Sequence, residues 1–343
     1  IIGAQRFVEL RVNAYDRSGN QSNESAQIKL FKEANPYMRD GSTSWLSIDT
    51  RVFHLLEGDT LFGETVTGTT DPNILIQSFI SKLNSGVGLG GDTFDGLPTN
   101  QSQSSLLPFE TITDQTTSTT KKVHNFALAK VRLQGNAGAI NVRAFFRLFR
   151  YSASNLIFDP SDHYRTHDAG GGLKSPLLGY SGTSSTDELV SIPFFASPRV
   201  AMGTSMTTQS DTPNVQSFPS GNANEQFLYF GVYLDINKST VRFPSNFIIA
   251  HPDGGFTGTD PTQSLPTLML DHHQCMVVEV NYDGDPTTIG DTPSVSDNLA
   301  QRNLMILTTD NPGATITHSV EHSFEMNLGR RNFDNNIEID ITH

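Results

Sequence analysis

The chain has 343 residues, 36% of them hydrophobic, with 36 Asp and Glu against 23 Lys and Arg, for a formal charge of −13. That balance argues against non-specific binding to nucleic acid or to an anionic membrane by the protein as a whole, and no run approaches the ~18 apolar residues of a membrane-spanning helix. The single cysteine, Cys275, excludes an intrachain disulfide framework and a cysteine-based zinc cluster.

Lying in an apolar run, Cys275 reads as a small buried hydrophobe. Gly, Pro, Ser, Thr, Asn and Asp are abundant, which fits many short strands joined by polar loops. The chain opens Ile1-Ile2-Gly3 without Met or a signal peptide, and so reads as a chain whose true N-terminus was removed or as one piece of a longer product.

From the N-terminus, residues 5–15 alternate with Val8, Leu10, Val12 and Ala14 on one face. Turn residues at 16–20 and a second strand at 26–31 follow. Two strands alone are marginal in water. Residues 1–33 are therefore expected to be the last hairpin of a β-sandwich, or strands lent to a neighbour. Residues 34–44, with Asn35-Pro36 and Asp40-Gly41, read as a linker. Residues 45–343 read as one large β-sandwich of jelly-roll or Ig-related type, with one peripheral helix and long polar loops, so the expected fold class is all-β.

The helix has a full set of signals. Asp71 suits the N-cap and Pro72 the first helical position, Ile74, Leu75, Phe79, Ile80 and Leu83 make an apolar stripe, and Gly86 ends it. Residues 98–122 are Ser-, Thr- and Gln-rich and read as an exposed excursion.

Between Asp114 and Asp159 there is no acidic residue, yet Lys121, Lys122, Lys130, Arg132, Arg143, Arg147 and Arg150 all fall there. The pattern predicts a β-hairpin across this basic segment. Ala127, Ala129, Val131 and Leu133 face the core on its first strand, and Val142, Ala144, Phe146 and Leu148 on its second, with Gly135 and Gly138 bracketing the turn. Later strands are predicted at 188–195, 226–236, 274–282, 303–308, 319–326 and 335–342, and a short helical turn near Ser296.

The sharpest functional pattern is the opposite face of that second strand, Arg143, Phe145, Arg147, Phe149 and Tyr151, flanked by Lys130 and Arg132. Alternating guanidinium and ring can clamp an acidic partner or stack a sugar, and the same pattern arises when a loop covers the face. Residues 251–343 carry a formal −11. Opposed charge blocks of this kind can cancel within the fold or set a head-to-tail contact between copies.

Asp283, Asp285 and Asp291 crowd one loop, and calcium needs six to eight oxygens. The EF-hand spacing fails, so a solvated acidic turn is the simpler reading. Asp271-His272-His273-Gln274-Cys275 groups ligand types, but adjacent histidines on a strand point to opposite faces. No nucleophile elbow, phosphate-binding loop, dinucleotide fingerprint or His-Glu-x-x-His helix is present in the sequence.

Several segments resemble one family. Asn35-Pro36-Tyr37, Ser44-Trp45-Leu46-Ser47, Arg51-Val52-Phe53, residues 125–129 and residues 142–149 are similar to parts of large, multidomain bacterial proteins with immunoglobulin-like β-sandwich segments, as are, most closely, residues 274–280 and 296–304. The resemblance runs from about residue 24 to 325, while residues 330–343 depart from it. It implies that the segment before Asn35 closes an immunoglobulin-like sandwich, and it implies no catalytic residue.

The function expected from all this is structural: a non-enzymatic subunit of a bacterial extracellular or particle assembly (filament, surface layer or shell) held to copies of itself by β-sheet and electrostatic contacts. A carbohydrate- or protein-binding module and a hydrolase or metal-dependent enzyme are the alternatives. The expected location is extracellular, at the cell surface or in a secreted particle. The expected partners are copies of the chain, a carbohydrate or another surface protein, without nucleic acid or membrane insertion and without a cofactor other than a candidate calcium.

Overall fold

The computed structural model describes residues 6–15, 21–30, 34–99, 105–114, 117–134, 137–149, 163–168, 174–180, 189–198, 211–221, 224–239, 242–244, 262–269 and 274–306. Among them the chain is strand-rich, with one helix of several turns. The expected all-β class holds at that level.

Strands β1 (Arg6–Tyr15) and β2 (Gln21–Leu30) pair antiparallel in a two-stranded sheet of their own. Strand β3 (Asn35–Tyr37) comes next, within the segment expected to be a linker. Its backbone pairs with the end of a long strand described below, and Met38 is buried. After it come β4 (Thr50–Leu56), the small ribbon of β5 (Thr60–Leu61) and β6 (Glu64–Thr65), and helix α1 (Pro72–Ser85).

The helix matches its sequence signals closely. Asp71 accepts a hydrogen bond from the Asn73 N–H, and Gly86 closes the helix at φ 69°, a conformation that favours glycine. The excursion after α1 contributes β7 (Ser105–Leu106) and β8 (Thr111–Thr113), and leads into β9 (Thr120–Gln134).

Strand β9 is the spine of a five-stranded sheet. Val52 of β4 pairs with Ala127 from one edge, and Val232 of β15 (Gln226–Leu234) pairs with it from the other. The strands between them in sequence are β10 (Ala139–Phe149), β11 (His163–Asp168), β12 (Lys174–Tyr180), β13 (Leu189–Phe194) and β14 (Val215–Phe218). Beyond β15 come the ribbon of β16 (Arg242–Pro244) and β17 (Thr262–Ser264), the short helix α2 (Leu265–Met269), β18 (Gln274–Asn281) and β19 (Leu299–Ile306). An eight-stranded sheet runs β11-β12-β13-β10-β18-β19-β7, with β14 paired to the start of β10.

The predicted hairpin is therefore not a hairpin. Both strands form where expected, but β9 lies in the five-stranded sheet and β10 in the eight-stranded one. The reason lies in their inner faces. Ala127, Ala129, Val131 and Leu133 meet Val142, Ala144, Phe146 and Leu148 in one hydrophobic cluster with Phe230, Val232, Met276 and Val278. Two consecutive strands with matching apolar faces can pair edge to edge or stack face to face. Alternation alone does not distinguish these, and stacking buries both faces at once.

A second cluster fills the outer face of the five-stranded sheet. Leu75, Ile76, Phe79, Ile80 and Leu83 of α1 pack on Phe53, Leu55, Phe126, Leu128 and Tyr233. Phe79 anchors it, with its ring 5.3 Å from Phe62 and 5.8 Å from Phe126 in edge-on arrangements. Burying a Phe side chain contributes about 1.5–3 kcal/mol. Gly231 on β15 permits the close approach, since a Cβ there would lie 2.6 Å from Leu128 Cδ2 and 3.0 Å from Ile76 Cδ1.

The two sheets are tied along one side by residues 45–47. The Ser47 N–H donates to the Gln301 carbonyl at 2.9 Å, and the Asn303 N–H to the Trp45 carbonyl at 3.1 Å. Within this segment the strand pairing is a single bridge, Leu46 to Arg302. Where a short helical turn is expected near Ser296, the Leu299 N–H donates to the Ser296 carbonyl at 3.3 Å, a single turn, and β19 begins at Leu299. The strands predicted at 319–326 and 335–342 lie outside the described residues. No helix among the described residues is long and apolar enough to cross a membrane.

Candidate functional site

The Arg/aromatic face of β10 lies within the folded chain. Phe145, Arg147 and Phe149 are buried and Arg143 is partly so, while Tyr151 lies outside the described residues. Arg147 donates through Nη2 to Glu279 of β18, and both side chains are nearly inaccessible. Phe149 packs with Cys275, Val277 and Leu299. Arg143 Nη1 reaches Asn281 Oδ1 at 2.9 Å and Asp283 Oδ1 at 3.1 Å. Burial pushes the Glu279 carboxyl above the usual range, and the Arg147 charge opposes that shift.

Five of the seven cations of the basic segment find their acids inside the chain, while Lys122 donates to the Gly68 carbonyl and Arg150 lies outside the described residues. Lys121 pairs with Asp114, Lys130 with Asp95, Arg132 with Asp49 and Glu225, Arg143 with Asp283, and Arg147 with Glu279. The local inversion of charge is largely neutralised intramolecularly. An exposed pair among these, such as Arg143 with Asp283, contributes little to stability.

Lys130 and Arg132 sit on the other sheet from Arg143. The face of β9 that carries Phe126 and Leu128 beneath α1 continues into Lys130 and Arg132, where apolar packing gives way to a polar network. Arg132 grips Asp49 in a fork, Nε to Oδ2 at 2.7 Å and Nη2 to Oδ1 at 2.8 Å, and its Nη1 reaches Glu225 at 2.8 Å. The Asp49 contact is the largest influence holding the Arg132 guanidinium above its ordinary pKa.

Glu225 also accepts from Arg39 and from the Tyr37 hydroxyl. Lys130 Nζ lies 3.3 Å from Asp95 and 4.6 Å from the centroid of the exposed Phe227 ring. The Phe94 ring bridges onward, with Arg51 Cζ 4.9 Å above it and Lys130 Nζ at 5.8 Å. Arg51 and Arg302 hold the inner end, donating to the carbonyls of Ile48 and Ser47 respectively.

Of this network only Lys130 and Arg132 are sequence-predicted. Arg39, Asp49, Arg51, Phe94, Asp95, Glu225, Phe227 and Arg302 come from separate segments that only the fold assembles. One local signal exists: Arg51 and Arg302 each interrupt an otherwise strand-like pattern, and a charge at a core position needs a partner.

The acidic loop is open. Asp283 is 84% exposed and bound by Arg143, and Asp291 accepts from the Thr288 N–H at 2.9 Å. Among the described residues no three His, Cys, Asp or Glu side chains gather into a metal-binding group, Asp283, Asp285 and Asp291 included. His272 and His273 lie outside the described residues. Cys275 is buried, its Sγ donating to Asn303 Oδ1 at 3.2 Å, and burial pushes its thiol up to about 12, far from a reactive thiolate. No family model, curated protein or solved structure matches this chain.

Proposed function

We propose that this chain is a non-enzymatic building block of a bacterial extracellular or particle assembly, its two larger sheets forming a β-sandwich of jelly-roll or Ig-related type. The observation that carries the reading is the β1–β2 ribbon. Its two ten-residue strands pair through the full register from Arg6 with Leu30 to Tyr15 with Gln21, in a sheet separate from both larger ones. That register sets Val8 opposite Ile28 and Leu10 opposite Ala26.

A two-stranded ribbon with an apolar face is marginal alone and gains stability from a further strand or sheet. A second copy, or the immunoglobulin-like neighbour implied by the resemblance, fits that requirement. The internal pairing of the basic segment moves the weight of the proposed contact from charge to strand edges.

Electron microscopy and light scattering of the full chain test the proposal, alongside a Val8→Lys/Leu10→Glu variant. Filaments, rings or shells that the paired substitution disperses while the circular dichroism of the sheets persists are expected. A wild-type chain that stays monomeric at every concentration overturns it.

One observation favours a second reading, a carbohydrate-binding module. Phe227 is 47% exposed with Lys130 against its ring, an arrangement suited to the apolar face of a sugar. Glycan-array binding lost in Phe227→Ala supports it, and a blank array dismisses it.

A further inference from the structure

Three Asp-Gly pairs fall among the described residues, Asp40-Gly41, Asp95-Gly96 and Asp283-Gly284. Such a pair carries its own chemistry. The amide nitrogen after the aspartate can close a five-membered ring on the side-chain carboxyl, and glycine, with no Cβ, hinders that approach least. Two conditions govern the closure. The amide must be free of a hydrogen bond, and the carboxyl must be neutral, because its oxygen then leaves as water.

Two of the pairs fail these conditions. The Gly96 N–H donates to the Thr93 carbonyl and to Thr93 Oγ1, both at 3.1 Å, and Asp95 lies against Lys130. The Asp283 carboxylate is engaged by Arg143.

Asp40-Gly41 meets both. Among the described residues no hydrogen bond or ion pair reaches the Asp40 side chain or the Gly41 N–H. The pair lies in a stretch without regular structure between β3 and β4. Asp40 is exposed, yet the chain around it desolvates the carboxyl enough to push it from 3.8 up to about 6. At pH 6 about half of it is therefore neutral, against roughly one in a hundred for an ordinary aspartate. The fold also requires the reactive neighbour. A Cβ at position 41 would lie 2.2 Å from the Leu46 carbonyl oxygen, so no larger side chain can shield the amide.

We propose that Asp40-Gly41 is a self-modification site, at which Asp40 passes through a succinimide to isoaspartate. The Gly41 nitrogen attacks Asp40 Cγ. The C–N bond forms, the nitrogen gives up its proton, and the bond from Cγ to the protonated oxygen breaks, releasing water. Hydrolysis returns that water to either carbonyl of the ring. One product is aspartate again; the other is isoaspartate, whose main chain runs through Cγ and is longer by one carbon.

The position gives the reaction a consequence. The Arg39 N–H donates to Asp49 Oδ2 at 2.8 Å, and Ser47 Oγ donates to the Arg39 carbonyl at 2.7 Å. Ser47 also joins the two sheets through Gln301. A carbon added after Arg39 enters a loop whose two ends are tied together, and displaces that join.

Incubation of the full chain at pH 6 and at pH 8, followed by peptide mapping with electron-transfer fragmentation, reads the site. The fragments separate isoaspartate from aspartate, and a retained ring appears as the loss of one water. In the native chain isoaspartate should accumulate at Asp40 severalfold faster than at Asp95 or Asp283, and faster at pH 6 than at pH 8. In urea, which frees every amide and equalises the carboxyls, that lead should vanish. The aged protein should unfold at a lower Tm, and Asp40→Glu, which would need a six-membered ring, should age without either change. Should Asp40→Glu fail to fold, the comparison of the three pairs within the wild-type chain still decides. Rates at Asp40 no higher than at Asp95 and Asp283 in the native chain overturn the site. So does a lead that persists in urea, which would place its cause in the local sequence and not in the fold.

Discussion

Asn84, near the end of α1, holds the outer edge of β15 at Tyr229 with both ends of its side-chain amide. Its Nδ2 donates to the Tyr229 carbonyl at 2.9 Å, and its Oδ1 accepts the Tyr229 N–H at 2.8 Å. Asn214 repeats the arrangement two residues on, with Nδ2 to the Gly231 carbonyl at 2.8 Å and the Gly231 N–H to Oδ1 at 2.9 Å. Two side chains thus take the place of an added strand, one way for an edge to resist pairing with another chain. Replacing either by Ala leaves a donor and an acceptor of β15 without those bonds, at a cost of about 1–3 kcal/mol. Chemical denaturation should show that loss for Asn84→Ala and for Asn214→Ala. The double variant should also aggregate at concentrations where each single one stays dispersed. Full stability in both single variants would mean that the amides contribute nothing to the edge.

Arg147 and Glu279 give a different energetic signature. Both are buried, so removing one leaves the other as an uncompensated charge, while removing both removes two desolvation penalties together. Arg147→Met and Glu279→Met should each cost about 3–5 kcal/mol, while the double substitution should come close to neutral. A double-mutant cycle by urea unfolding measures the coupling directly. Additive single effects would contradict a paired role.

The same pair shows what was legible in the sequence. The alternation of residues 142–149 marked the strand and both of its faces, and Asp71, Pro72 and Gly86 marked the helix, because those signals are local. The acid that pairs with Arg147 is 132 residues away, and nothing near Arg147 indicates it. An Arg/aromatic face reads identically whether it awaits a partner or lies under its own chain. The stacking of β9 on β10 was hidden for a related reason: a short turn with Gly138 suits a hairpin as well as a crossing between sheets. Asn35-Pro36 suggested a linker, yet the Asn35 backbone pairs with Gln134 at the end of β9, and only tertiary pairing discloses that. In the basic network, the residues that bring Arg51 to Arg302 are the carbonyls of Ser47 and Ile48, and side-chain chemistry carries no trace of a carbonyl contact.

His124 supplies a pH dependence whose sign can be worked out. It lies on β9 beneath the α1 layer, 3% exposed, with both ring nitrogens buried and unbonded, near Phe126 and Tyr233 at centroid distances of 6.4 and 6.3 Å. Burial lowers its pKa from 6.5 to about 4; Lys238 and Lys122 add to the shift, and Asp71 and Glu57 oppose it. The unfolded chain therefore binds a proton at His124 that the folded chain rejects between pH 6.5 and about 4. Stability falls as pH drops through that window and levels off below it, the contribution of this group being at most ~3 kcal/mol. In His124→Phe that contribution disappears, and the variant fills the site without polar atoms. Unfolding free energies measured from pH 7 to pH 4 should decline less steeply in the variant, with near-equality to wild type at neutral pH. Parallel curves for the two proteins would show that His124 already finds a partner for its proton in the folded state.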